Sequence, residues 1–74
     1  MLDNYDYITI FYKLLIRGRL ISYTVKRHHD YSMIDDLIEI FEICHNLPLL
    51  IKNGSNEEIE MWLSLFNLNK YLND

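Results

Sequence analysis

Between Tyr7 and Val25 an apolar or small residue returns every three or four positions, at Tyr7, Phe11, Leu14, Gly18, Ile21 and Val25, with Ile10 beside them. Such spacing puts side chains on one face of a helix, and here it runs without a break. It predicts a first helix from about Tyr5 to Lys26, capped by Asp3 or Asn4. The competing form is a β-hairpin. Ile8 to Ile16 and Leu20 to Val25 are rich in β-branched and aromatic residues, and Arg17-Gly18-Arg19 would turn between them. The unbroken stripe favours the helix, in which Gly18 either bends the axis or admits a closely packed neighbour.

The same stretch is apolar enough to raise a membrane span. Lys13, Arg17 and Arg19 would then lie near the bilayer centre, at about 2.5–3.5 kcal/mol each. Asp3 and Asp6 precede the apolar run where a signal peptide carries positive charge, so neither a span nor a signal peptide is expected. Asn53-Gly54-Ser55 matches a glycosylation acceptor, a match without meaning in a chain that is not secreted. Cys44 is the only cysteine, which excludes an intrachain disulfide and fits a reducing cytoplasm.

After a polar connection at His28 to Tyr31, Ser32 is the expected cap of a second helix from Met33 to about His45. Its apolar stripe is Ile34, Leu37, Ile38, Phe41 and Cys44, and Asp35, Asp36, Glu39 and Glu42 take the other side. Acids in the first turn suit the helix dipole. Pro48 is expected to end that helix and start a short turn from Leu47 to Lys52, closed by Asn53-Gly54. Ser55 and Glu58 form a capping box for the last helix, with Ile59, Trp62, Leu63 and Phe66 inward. Leu65, Leu68 and Leu72 make that helix greasy on two sides. The fold class is therefore an all-α domain of three or four helices covering residues 1–74 as a single domain.

The chain has 74 residues, half of them hydrophobic. A core this small supplies only about 3–5 kcal/mol without support. The surplus apolar surface predicts a protein partner, with a homodimer the simplest case. The sequence holds no alanine and no glutamine while using Ile, Leu, Asn and Tyr heavily. Alanine is the best helix former, so this is not a folding preference. It is the bias of an A/T-rich genome, and it associates the chain with phages, viruses, mobile elements and low-GC bacteria.

Charge is segregated. Residues 7–29 hold Lys13, Arg17, Arg19, Lys26 and Arg27 and no acid, whereas residues 30–74 hold nine acids against Lys52 and Lys70. On a helical wheel Lys13, Arg17 and Arg27 oppose the apolar arc of the first helix, flanked by Tyr12, Ile16 and Tyr23. Such a face can hold phosphates and stack bases, or grip an acidic protein surface. The plainest use is contact with the acidic second helix of the same chain or of a dimer mate. Protonation of His28 and His29 would extend the basic patch at mildly acid pH.

Other chemistry is weakly supported. His28-His29 and Cys44-His45 are adjacent pairs, whose side chains diverge, rather than ligands at zinc spacing, so no metal is expected. Gly18 and Gly54 are isolated, no phosphate-binding loop is present, and a chain this short has little room for a dry pocket. Neither an enzyme nor a cofactor is expected. The sequence predicts a cytoplasmic, non-enzymatic regulator that binds a protein through helical surfaces, with Tyr12, Arg17, Arg19, Tyr23, Lys26, Arg27, Leu65, Leu68 and Leu72 as contact residues. A nucleic-acid-binding regulator using the basic residues is the alternative. An acidic mimic of DNA that inhibits a DNA-binding protein through the carboxylates from Asp35 to Glu60 is a third.

Overall fold

The stripe of the first segment folds as a helix and not as a hairpin. The computed structural model describes residues 4–72 and is helical in four pieces. They are α1 (Asn4–His28), α2 (Ile34–Asn53), α3 (Asn56–Leu63) and α4 (Asn69–Leu72). Asn4 lies inside α1 and not at its cap, and Asp3 falls outside the described residues. At about 1.5 Å per residue, α1 accounts for nearly all of the molecule's 40 Å length. Tyr7, Leu14 and Ile21, one heptad apart, are its buried hydrophobic side chains, with Gly18 buried among them, and Ile10, Phe11 and Val25 pack beside them.

Helix α1 stops where His29 adopts the left-handed conformation, with φ of 53°. The His29 N–H donates to the Val25 carbonyl at 3.0 Å and the Asp30 N–H to the Thr24 carbonyl at 3.5 Å, closing a left-handed C-terminal cap. The connection that follows corrects the expected cap of α2. Ser32 does not cap it. The residue preceding the helix is Met33, and no side chain caps it. Instead Asp30 Oδ1 accepts the Ser32 backbone N–H at 3.0 Å, which holds the Asp30 carboxyl below its usual range. Acid and serine are thus spent on the turn itself.

Two further expectations fail on α2. It does not end near His45 but runs through Pro48 to Asn53, so residues 47–52 are not a separate turn. Proline has no N–H for the Cys44 carbonyl and disfavours a helix interior. Packing overrides that preference, because Ile43 and Leu47 on either side of the lost bond are fully buried. The buried stripe also differs, being Leu37, Ile40, Ile43 and Leu47. Ile38 and Phe41 are exposed.

Helices α1 and α2 form an antiparallel pair that packs closely at Gly18. A methyl group there would meet Ile40 Cγ2 at 3.1 Å and Leu37 Cδ1 at 3.8 Å, so the glycine serves close packing. The capping box forms as expected: Ser55 Oγ accepts from Glu58 N at 3.2 Å, and Ser55 N donates to Glu58 Oε1 at 3.4 Å. The last segment is not one helix. At Ser64 the hydroxyl turns back to the Met61 carbonyl at 2.6 Å, and Leu65 and Phe66 donate to carbonyls three residues earlier. The break changes the direction of the chain, so Phe66, Leu68, Tyr71 and Leu72 all reach the core. The two-sided greasiness of the sequence is resolved largely by that bend.

Candidate interaction face

Helices α3 and α4 cover one side of the α1/α2 pair. On α4, Tyr71 is buried, and its Oη lies 2.5 Å from Glu39 Oε1 and 3.4 Å from Asp36 Oδ1. Lys70 Nζ sits 3.0 Å from Asp36 Oδ1 and 3.6 Å from Glu39 Oε1. At the other end of the core, Tyr7 Oη lies 3.3 Å from both the Asn56 carbonyl and Glu60 Oε1. The expected match between the basic face of α1 and the acids of α2 is therefore not made within the chain. Among the described residues, Asp36 and Glu39 are engaged by Lys70 and Tyr71, and no ion pair joins α1 to α2.

The opposite side of the pair is uncovered. Two hollows follow one another along it. One, of about 280 Å³, lies between Ile8, Phe11 and Tyr12 of α1 and Pro48 and Ile51 of α2. The next, of about 360 Å³, has Gly18 and Ile40 at its floor, Leu15 and Tyr23 on the α1 wall, and Phe41 and Cys44 on the α2 wall. Arg19 and Lys26 stand on its rim, and neither hollow is lined by an acid. Large side chains converge here with much of their surface in solvent: Tyr12 is 58% exposed, and Tyr23 and Phe41 are each 59% exposed. Half-burial of Cys44 raises its thiol pKa, so the group is a protonated, weakly reactive wall at neutral pH.

A further hollow, of about 540 Å³, is the seam at the α3–α4 break, lined in part by Glu60, Phe66 and Asn67. Its apolar residues Ile10, Leu63, Phe66 and Leu68 belong to the core or pack on it, and Glu60, Ser64, Asn67 and Asn69 make its lining more polar than that of the α1/α2 hollows. A smaller hollow beside Tyr71 holds Lys13, Ile16, Arg17 and Leu20.

The predicted contact residues are thus distributed over several surfaces. Arg19, Tyr23 and Lys26 share one hollow, with Tyr12 in its neighbour. Arg17 lies on the opposite flank of α1, next to Lys13. Arg27 is exposed on the outer face. Leu65 is 75% exposed at the end of α3, away from the groove, whereas Leu68 and Leu72 are partly buried against the core. Sequence reasoning missed Ile8, Leu15 and Phe41. On α2 the signal was partial: Leu37, Ile38, Ile40, Phe41 and Ile43 are too many apolar residues for one helix face, which says that some are exposed but not which.

Among the described residues no helix is long and apolar enough to cross a membrane. Comparison with family models, with curated proteins and with solved structures finds no match to this chain.

Proposed function

We propose that this chain is a non-enzymatic interaction module that regulates a protein target by occupying its surface, and that the uncovered α1/α2 face makes the contact. The observation that carries this is the convergence of exposed Tyr12, Leu15, Tyr23 and Phe41 on one concave surface of a very small domain. Isolated exposed apolar residues are ordinary, but aromatic and aliphatic side chains lining two successive hollows, with a basic rim, have the composition of an interface centre. The nucleic-acid reading is weaker. Lys13 and Arg17 lie on one flank of α1 and Arg19 and Lys26 on the other, with Ile16, Leu20 and Tyr23 exposed between them. The acidic-mimic reading loses Asp36 and Glu39, which face Lys70.

Photo-crosslinking in the native cell tests the proposal. Benzoylphenylalanine at Tyr23 is expected to give a discrete protein adduct, and the same group at Asp35, on the far flank of α2, is expected to give none. Adducts to nucleic acid alone, or equal labelling from both positions, would overturn it.

Self-association is a second reading with its own observation. Ile38 and Leu49 are 60% and 57% exposed along the outer line of α2, with His45 between them. Two copies meeting along that line would bury an apolar strip outside the groove. Sedimentation equilibrium decides it: a strict monomer at high micromolar concentration removes the homodimer.

A further inference from the structure

We infer that the α1/α2 groove receives an acidic amphipathic helix supplied by the partner protein, an inference that rests on the protein-binding reading above. The first support is shape. The two hollows extend along the antiparallel pair from Ile8 and Pro48 to Tyr23 and Lys26. The α1 side of this run corresponds to roughly 27 Å, the length of a helix of about 18 residues. With α3 and α4 on the other side, a helix laid here completes a bundle, and such grooves are read by apolar anchors at helical spacing.

Charge is the second support. Arg19 and Lys26 rim one end, two turns apart on the same edge of α1, and no acid lines either hollow. No ion pair engages either residue among the described residues. A guest with carboxylates beside its apolar stripe places them against Arg19 and Lys26. A second copy docked face to face brings no acid on this face to answer the positive rim, which disfavours it as occupant. The chemistry at the centre favours apolar anchors over phosphates, since Phe41, Leu15 and Ile40 offer nothing to an oxyanion.

The test uses the full chain and a pair of synthetic helical peptides about 18 residues long, with one Leu/Phe stripe and either Glu or Lys on its flanks. The Glu peptide is expected to bind about tenfold more tightly than the Lys peptide, the scale of two rim charges turned from repulsion to attraction. Amide shifts on titration should centre on Gly18, Phe41 and Cys44. The doubly reversed chain, Arg19→Glu with Lys26→Glu, changes only exposed side chains and should invert the preference. A preference of zero, one that survives the double reversal, shifts centred on Lys13 and Arg17, or tighter binding to phosphatidylserine vesicles that the Glu peptide does not displace would each overturn the inference. If the peptides fail while Tyr23 still crosslinks to a protein, the acidic helix is wrong and protein binding stands. If both fail, both are wrong.

Discussion

Gly18 and Ile40 pack tightly across the α1/α2 contact, with a Cβ on Gly18 falling 3.1 Å from the Ile40 Cγ2 methyl. Ile40 is 1% exposed and cannot swing away. For Gly18→Ala, the helix-propensity gain of about 1 kcal/mol opposes the cost of a shift of a few tenths of an ångström. The net change should stay within about 1 kcal/mol. A larger side chain has no such offset: Gly18→Leu should destabilise by about 1–3 kcal/mol through overpacking. Urea unfolding measures both, and a Gly18→Leu chain as stable as the parent would show that the helices do not meet here.

The path from sequence to this contact was short on α1 and long on α2. Tyr7, Leu14 and Ile21 repeat at a spacing only a helix can bury together, so α1 was readable despite its β-branched residues. On α2, Phe41 stands at helical spacing from Leu37 and Cys44 and looked like core. Its exposure follows from which side α3 and α4 cover, a choice that no local pattern encodes. The same holds for Leu68 and Leu72, whose burial depends on the chain breaking at Ser64. Arg19, Tyr23 and Lys26 were readable as off-stripe residues, but their separation from Arg17 needed the packing of Tyr71 against the other flank.

His29 gives a second prediction. A non-glycine residue in the left-handed region bears about 1–2 kcal/mol of strain, and His29 occupies it at φ 53°. Glycine removes the strain and gives back part of the gain through unfolded-chain entropy, roughly 0.5–1 kcal/mol. His29→Gly should therefore stabilise by about 0.5–1 kcal/mol, and β-branched His29→Val should destabilise by at least about 1 kcal/mol. Thermal unfolding of the pair checks the sign, and the idea fails if valine is the more stable.

Pro48 gives a third. It is exposed and lies inside α2, where it denies the Cys44 carbonyl its helical donor. An interior proline costs about 3 kcal/mol, against about 0.4–1 kcal/mol that its stiffness recovers from the unfolded chain. Pro48→Ala should stabilise by about 2 kcal/mol in urea. No gain would mean that α2 accommodates proline without strain.

The contact of Tyr71 with Glu39 predicts both a neutral and an alkaline effect. Tyr71→Phe keeps the buried ring and removes the hydroxyl at 2.5 Å from Glu39 Oε1, leaving that carboxylate with Lys70 at 3.6 Å. The loss at pH 7 should be about 1–2 kcal/mol, the range for a hydrogen bond to a charged group with partial compensation. Burial, reinforced by the Glu39 hydrogen bond, raises the Tyr71 pKa well above its ordinary value of 10.0. The bond to Asp36, followed by that to Tyr71, raises the Lys70 pKa above 10.5. Both groups hold their protons more tightly folded than unfolded. Their contribution is therefore complete below those ordinary values and disappears as pH climbs from there toward the raised ones. Stability should fall above about pH 10, and Tyr71→Phe should show a shallower fall because only the Lys70 share remains. Urea midpoints measured from neutral to strongly alkaline pH check this. A parent chain whose decline is no steeper than that of Tyr71→Phe would place the Tyr71 hydroxyl outside the α4–α2 contact.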